Sequence, residues 1–133
     1  MWWSGLEGNG GLMKILSYLL QTNVEWQGAE ARLNVVATGA EEVEERRSTL
    51  QPIVDRLRTG ATLNVITAEG RSFDDVLHET SADADVAFLG MATPEEEPDY
   101  SSYYARLQER TEGLPPTVFV LAAEDIAFKE VLA

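Results

Sequence analysis

Short apolar runs rich in β-branched residues alternate along the chain with longer stretches of helical periodicity. The runs predicted to be strands are residues 1–3, 31–38, 62–68, 84–91 and 117–122. Strands that alternate with helices form βαβ units, and right-handed crossovers then bring the strands into a parallel sheet. We therefore predict an α/β fold, a three-layer sandwich around a five-stranded, mainly parallel sheet of strand order 3-2-1-4-5.

The boundaries of two predicted helices are marked by side chains. Thr38 with Glu41, and Ser72 with Asp75, have the spacing of capping boxes, which predicts a helix start at each pair. Pro52 lies inside the helical pattern that follows Thr38 and predicts a kink or a break there.

Tyrosines mark the helix predicted between the last two strands. Tyr100, Tyr103, Tyr104 and Leu107 share one helix face. That pattern favours a place in the core, with a subunit interface as the alternative. A short helix near residues 126–132 is predicted to end the chain.

The chain is strongly acidic. It has 133 residues, 23 Asp and Glu against 10 Lys and Arg, and a net charge of -13. The length predicts a single domain, residues 1–133. The charge argues against nucleic acid and anionic membrane surfaces as partners, because both require a basic face. The chain has no cysteine, and its longest apolar stretch, Leu12–Leu20, is too short to insert across a membrane. These features predict a soluble domain in a reducing compartment.

A glycine-rich segment lies between the first predicted strand and the first helix. Backbone N–H groups at such a junction favour an anion, so Gly8, Asn9, Gly10 and Gly11 form a candidate anion or nucleotide site. The spacing is neither a dinucleotide fingerprint nor a P-loop, and Glu7 adds negative charge. The pattern favours instead a tight turn that needs glycine for its shape or close packing. Ligand binding remains the alternative.

Side chains suited to catalysis occur without a specific pattern. His78 is the single histidine and lies on a short predicted helix, and no serine occupies a nucleophile elbow. The acidic runs at residues 41–45 and 95–97 lack a calcium-loop pattern and are typical of solvated surface. We therefore predict no enzyme activity, no metal site and no cofactor.

Three sequence blocks occur in an order that is found in a known family. The first block has a tryptophan pair, a Gly-Gly-Leu and a Tyr-Leu-Leu. Its residues are Trp2, Trp3, Gly10, Gly11, Leu12, Tyr18, Leu19 and Leu20. The second block is the pair Arg46 and Arg47 with Leu50, and the third is the Leu-Pro-Pro strand at Leu114–Leu121. Together, over almost the whole chain, they resemble the cytosolic C-terminal domain of the cation-chloride cotransporters.

The resemblance implies a universal-stress-protein-like α/β fold and a regulatory function. In that family the domain is the cytosolic tail of a transporter that moves chloride with sodium or potassium, and it contributes to dimer formation. The implied partners are the transmembrane domain of the same transporter and a second copy of the chain, at the cytoplasmic side of the cell membrane. No transport residue is carried over, because the ion path lies in transmembrane helices. The short segment Glu69–Ala84, where animal members have a long insert, points to a prokaryotic relative.

Kinship with stress proteins raises a small-molecule or nucleotide sensor as the alternative function. The ATP-binding versions of that fold have a Gly-x-x-Gly motif after the fourth strand. Here Gly90 is followed by Met91, Ala92 and Thr93, so the second glycine is missing. The acidic run at residues 95–97 would also repel a triphosphate. ATP binding at this loop is therefore not expected.

Overall fold

The structure, a computed structural model, describes residues 1–3, 7–57, 59–91 and 99–122, without the side chains of residues 7 and 8. The elements in chain order are α1 (Glu7–Gln21), a single 3₁₀ turn (Val24–Trp26), β1 (Arg32–Ala37), α2 (Ala40–Val54), β2 (Thr62–Thr67), α3 (Phe73–Ser81), β3 (Ala87–Gly90), α4 (Tyr100–Thr111) and β4 (Thr117–Val120). The helix predicted near residues 126–132 lies outside the described residues.

The described strands form two small parallel sheets of two strands each. β1 pairs with β2 and β3 pairs with β4, starting at Arg32↔Thr62 and Ala87↔Thr117. β1 and β2, which are joined through α2, and β3 and β4, which are joined through α4, pair in parallel. The predicted α/β class is therefore confirmed. The predicted five-stranded sheet of order 3-2-1-4-5 is wrong, and with it the three-layer sandwich around that sheet.

The N-terminal residues explain why a continuous sheet is absent from the described part of the chain. Residues 1–3 lie between the two sheets and form a single parallel bridge, Trp2↔Asn34. Asn34 donates to the carbonyl of the first residue at 2.7 Å and accepts from the N–H of the third at 2.9 Å, whereas Trp2 donates to the Phe88 carbonyl at 3.1 Å. Three residues provide too few hydrogen bonds for a ladder. β3 is also shorter than the predicted run 84–91, because pairing begins only at Ala87.

The start of α2 differs from the prediction by one residue. Its N-cap is Gly39 and not Thr38, so the acid at the third helical position is Glu42, and the predicted Thr38–Glu41 box is wrong. The Glu42 carboxylate accepts from the backbone N–H of Thr38 at 2.7 Å and from its hydroxyl. These hydrogen bonds, the hydroxyl bond first, lower the pKa of Glu42 to about 2.

Two other helix predictions have different outcomes. Ser72 is the N-cap of α3, and its hydroxyl accepts from the Asp75 N–H at 3.1 Å, as predicted. Pro52 does not break α2, which ends two residues later at Val54.

Apolar side chains form two buried clusters. The first consists of Met1, Met13, Leu33, Val35, Leu50, Val54, Leu63, Phe88 and Val120. The second consists of Trp2, Val76, Leu77 and Leu89. Because residues 1–3 run between the sheets, Met1 and Trp2 contribute to different clusters and connect them.

Helix α4 buries less of its tyrosine face than predicted. Leu107 is buried, but Tyr100 and Tyr104 are 63% and 61% exposed. The predicted core position is therefore wrong for these two tyrosines. Helical spacing showed that they share a face. It did not show whether that face is buried, because a tyrosine has an apolar ring and a polar hydroxyl and is stable both in the core and at the surface.

Candidate functional site

The glycine-rich segment is helical. Residues 7–11 belong to the first turns of α1, and residues 4–6 lie outside the described part. Gly8, Asn9, Gly10 and Gly11 are therefore consecutive helical positions, so the tight turn predicted there is wrong for these residues. The last three of them are buried.

Gly10 packs directly against the ring of Trp3. A Cβ at position 10 would overlap the ring, whose Cε3 would lie 2.7 Å away. One helical turn further, the Lys14 ammonium lies 5.5 Å from the centre of the same ring. Position 10 therefore requires glycine because the indole comes so close to the helix backbone.

Replacing Gly10 with alanine is expected to destabilise the protein, although alanine is the better helix former by roughly 1 kcal/mol. The Trp3 ring must move, and overpacking of this kind costs about 1–3 kcal/mol. Urea unfolding of Gly10→Ala measures the loss. Gly28→Ala is the control, since nothing lies within 4 Å of a Cβ at position 28. A Gly10→Ala protein as stable as the parent would contradict this contact.

Asn9 connects α1 to the carboxyl ends of β3 and β4. Its Nδ2 donates to the Met91 carbonyl at 2.9 Å, and its Oδ1 accepts from the Ala122 N–H at 2.8 Å. The residue is 5% exposed, and a Cβ at Gly90 would lie 3.0 Å from its Nδ2. Open parallel sheets bind ligands at the carboxyl ends of their strands. Between β3 and β4, the Asn9 carboxamide takes that position.

Truncation of this amide should cost about 1–3 kcal/mol of unfolding free energy, because two backbone groups lose their partner. Thermal unfolding of Asn9→Ala measures the effect. Asn23→Ala is the matched control, because Asn23 is exposed and its Oδ1 accepts from the Glu25 N–H, two residues away, at 2.9 Å. Equal losses in the two variants would show that the Asn9 bonds add no stability beyond an ordinary exposed cap.

A cleft of about 240 Å³ opens at the opposite, amino-terminal ends of the strands, where β1 and β3 begin. Ser17 and Gln21 of α1 and Trp26 of the 3₁₀ turn contribute to its wall. Arg32 and Asp83 also line it and form an ion pair, with 3.0 Å between the guanidinium and the carboxylate. The hydrogen bond from Arg32 lowers the pKa of Asp83.

The amino group of Met1 lies in the wall of the cleft. It donates to the Arg32 carbonyl at 2.8 Å. Burial first, and then the Arg32 charge, lowers the pKa of this amino group from 8.0 to about 5. The sequence did not predict the cleft, because its lining residues are distant in the chain and of ordinary types.

His78 makes a contact at the surface. The Nε2 of His78 lies 2.7 Å from the Arg110 carbonyl and donates to it, and the Nε of Arg110 donates to Asp74 at 2.8 Å. The glutamates of residues 41–45, apart from Glu42, are exposed, and residues 95–97 lie outside the described part. Within the described ranges, no group of three His, Asp or Glu side chains is placed to hold a metal ion.

No known protein family, curated protein or solved structure matches the chain. In residues 1–3, 7–57, 59–91 and 99–122, every helix is too short or too polar to cross a membrane. The resemblance to the cotransporter tail therefore rests on the three sequence blocks.

Proposed function

We propose that the chain is a non-catalytic regulatory and dimerisation domain of a cation-chloride-cotransporter-like membrane transporter. In this proposal, a transmembrane part outside the chain moves chloride with sodium or potassium, and the domain lies on the cytoplasmic side. The contact between Trp3 and Gly10 carries the proposal. It gives Trp3 of the tryptophan pair and Gly10 of the Gly-Gly-Leu sequence a shared structural reason.

Other residues of the first and second blocks support the proposal by their packing. Trp2 is buried, and its Nε1 donates to the Ser81 hydroxyl at 3.0 Å. Leu12 and Leu20 pack on the first cluster, which contains Leu50. The residues that match the family therefore build the core of the domain. Such positions favour a domain that contacts other parts of a protein over an enzyme, because the residues that identify an enzyme would line its cleft.

Self-association can be tested by light scattering at high protein concentration. We expect a dimer, and the exposed tyrosines of α4 are the first surface to test, because tyrosine is enriched at interfaces. The double variant Tyr100→Ser/Tyr104→Ser should shift the mass towards a monomer. Val24→Ser is the control, since Val24 is 82% exposed on the 3₁₀ turn. A parent protein that stays monomeric would contradict dimerisation by this domain alone.

For the alternative function, a nucleotide or anion sensor at residues 8–11, no contact among the described residues is in its favour. The Asn9 carboxamide already bonds to the ends of β3 and β4, and the Trp3 ring covers Gly10. A ligand that binds the folded state raises the melting temperature. ATP and inorganic phosphate are therefore expected to leave it unchanged, and a saturable rise with either would favour the sensor.

A further inference from the structure

We propose that the cleft beside Met1 holds an extended peptide strand, namely the polypeptide that leads from the transmembrane part into Met1. The inference rests on the proposed function, which supplies that segment. Its structural basis is the backbone of the two walls of the cleft. A strand there would lie between β1 and β3 and join the two small sheets.

The β1 wall offers an unpaired backbone donor. The Thr62 N–H, for example, donates to the Ala31 carbonyl at 2.9 Å. In a parallel pair every second residue of a strand bonds to the same neighbouring strand, and along this edge residues 31, 33, 35 and 37 bond to β2. The residues between them face the gap, where Asn34 bonds to residues 1–3. Arg32 is the next of these towards the cleft. Its carbonyl accepts from the Met1 nitrogen. Its N–H faces away from β2, and no described residue outside the β1–β2 ladder accepts from it.

The β3 wall offers a second donor. Ala87 bonds outward, because its N–H donates to the Pro116 carbonyl at 2.9 Å. Phe88 therefore faces the gap, where its carbonyl accepts from the Trp2 N–H. No described residue outside the β3–β4 ladder accepts from the N–H of Phe88, although Phe88 is 6% exposed. Phe88 is buried and Arg32 is half-buried. Because buried backbone N–H groups are nearly always paired, these two open donors on facing walls fit a missing strand.

The hydrogen bonds of residues 1–3 define the register of the added strand. The Asn34 N–H donates to the Met1 carbonyl, so the Arg32 N–H meets the carbonyl of the second residue ahead of Met1. The Trp2 N–H donates to the Phe88 carbonyl, so the Phe88 N–H meets the carbonyl of the residue directly ahead of Met1. The Met1 nitrogen becomes a peptide N–H and keeps its bond to the Arg32 carbonyl.

Amide hydrogen exchange, measured on the whole chain with three residues added ahead of Met1, tests whether the cleft binds a strand; we call this site the strand slot. One extension ahead of Met1 is Met-Thr-Val, and the matched control is Met-Thr-Pro, because proline lacks the N–H that would reach the Val86 carbonyl. With the valine extension, exchange at the Arg32 and Phe88 amides should slow by about fivefold or more relative to the unextended chain. The proline extension should slow both amides less.

Unchanged exchange at both amides with the valine extension would overturn the strand slot. Equal slowing by the valine and proline extensions would overturn it as well, because a peptide would then cover the cleft without pairing. Neither exchange result depends on whether the gene encodes transmembrane helices ahead of Met1. If no transmembrane helices are encoded ahead of Met1, the transporter proposal fails while these exchange rates still report on the slot.

Discussion

Replacement of Trp2 by alanine is expected to lower the free energy of unfolding by about 3–5 kcal/mol. Trp2 is 4% exposed, and its ring meets that of Phe73 edge to face, with the centroids 5.6 Å apart. It packs in the second cluster with Val76 and Leu77 of α3, while its backbone bonds to β3. Truncation therefore leaves a cavity where the two sheets come together.

Urea unfolding of two further tryptophan variants separates the causes of this loss. Trp26→Ala is the matched control, because Trp26 is partly exposed and belongs to neither cluster. Trp2→Phe retains a ring but loses the bond from Nε1 to Ser81, and should cost about 1–2 kcal/mol. A Trp2→Ala loss no larger than that of Trp26→Ala would contradict the packing described here.

Acidification from pH 8 to pH 5 is expected to destabilise a 133-residue protein with a free amino group at Met1. The pKa of this amino group falls from 8.0 to about 5 on folding, mainly through burial. Above pH 8 the amino group is neutral in both states and has no effect. Between pH 8 and pH 5 only the unfolded chain binds the proton, so protons favour unfolding. The difference between a pKa of 8.0 and one of about 5 corresponds to about 4 kcal/mol in full, and about 3 kcal/mol of it is lost between pH 8 and pH 5.

Acetylation of the Met1 nitrogen provides the control for this pH dependence. The acetylated chain has the same other titrating groups, so the difference between the two proteins isolates the amino group. Urea unfolding at pH 8, 7, 6 and 5 should show the free chain losing stability relative to the acetylated one at each step. Parallel pH profiles would contradict burial of this nitrogen.

Local patterns in the sequence predicted the helices and the parallel pairing well. Ser72 and Asp75 lie close together in the chain, so their capping interaction needs no tertiary information. Residues 1–3 show what local patterns cannot predict. Their apolar character predicted a strand, but the number of bonds a strand makes depends on its length and on its neighbours in space. Three residues between Asn34 and Phe88 make one bridge and no ladder.

Asn9 shows why the candidate site was harder to predict than the fold. A polar residue among glycines at a helix start favours an external anion, but the groups that bond to Asn9 belong to this chain. Met91 and Ala122 lie 82 and 113 residues away in sequence. A local sequence pattern cannot predict that residues so far apart in the chain lie next to Asn9. The same holds for the cleft, where the Arg32–Asp83 pair spans 51 residues.

The sequence of the encoding gene upstream of Met1 is the strongest test of the proposal that this chain is the tail of a membrane transporter. The proposal predicts an open reading frame that continues upstream and encodes several apolar helices of about 20 residues each. An in-frame stop codon shortly ahead of Met1, which would make the chain a free-standing protein, would contradict it.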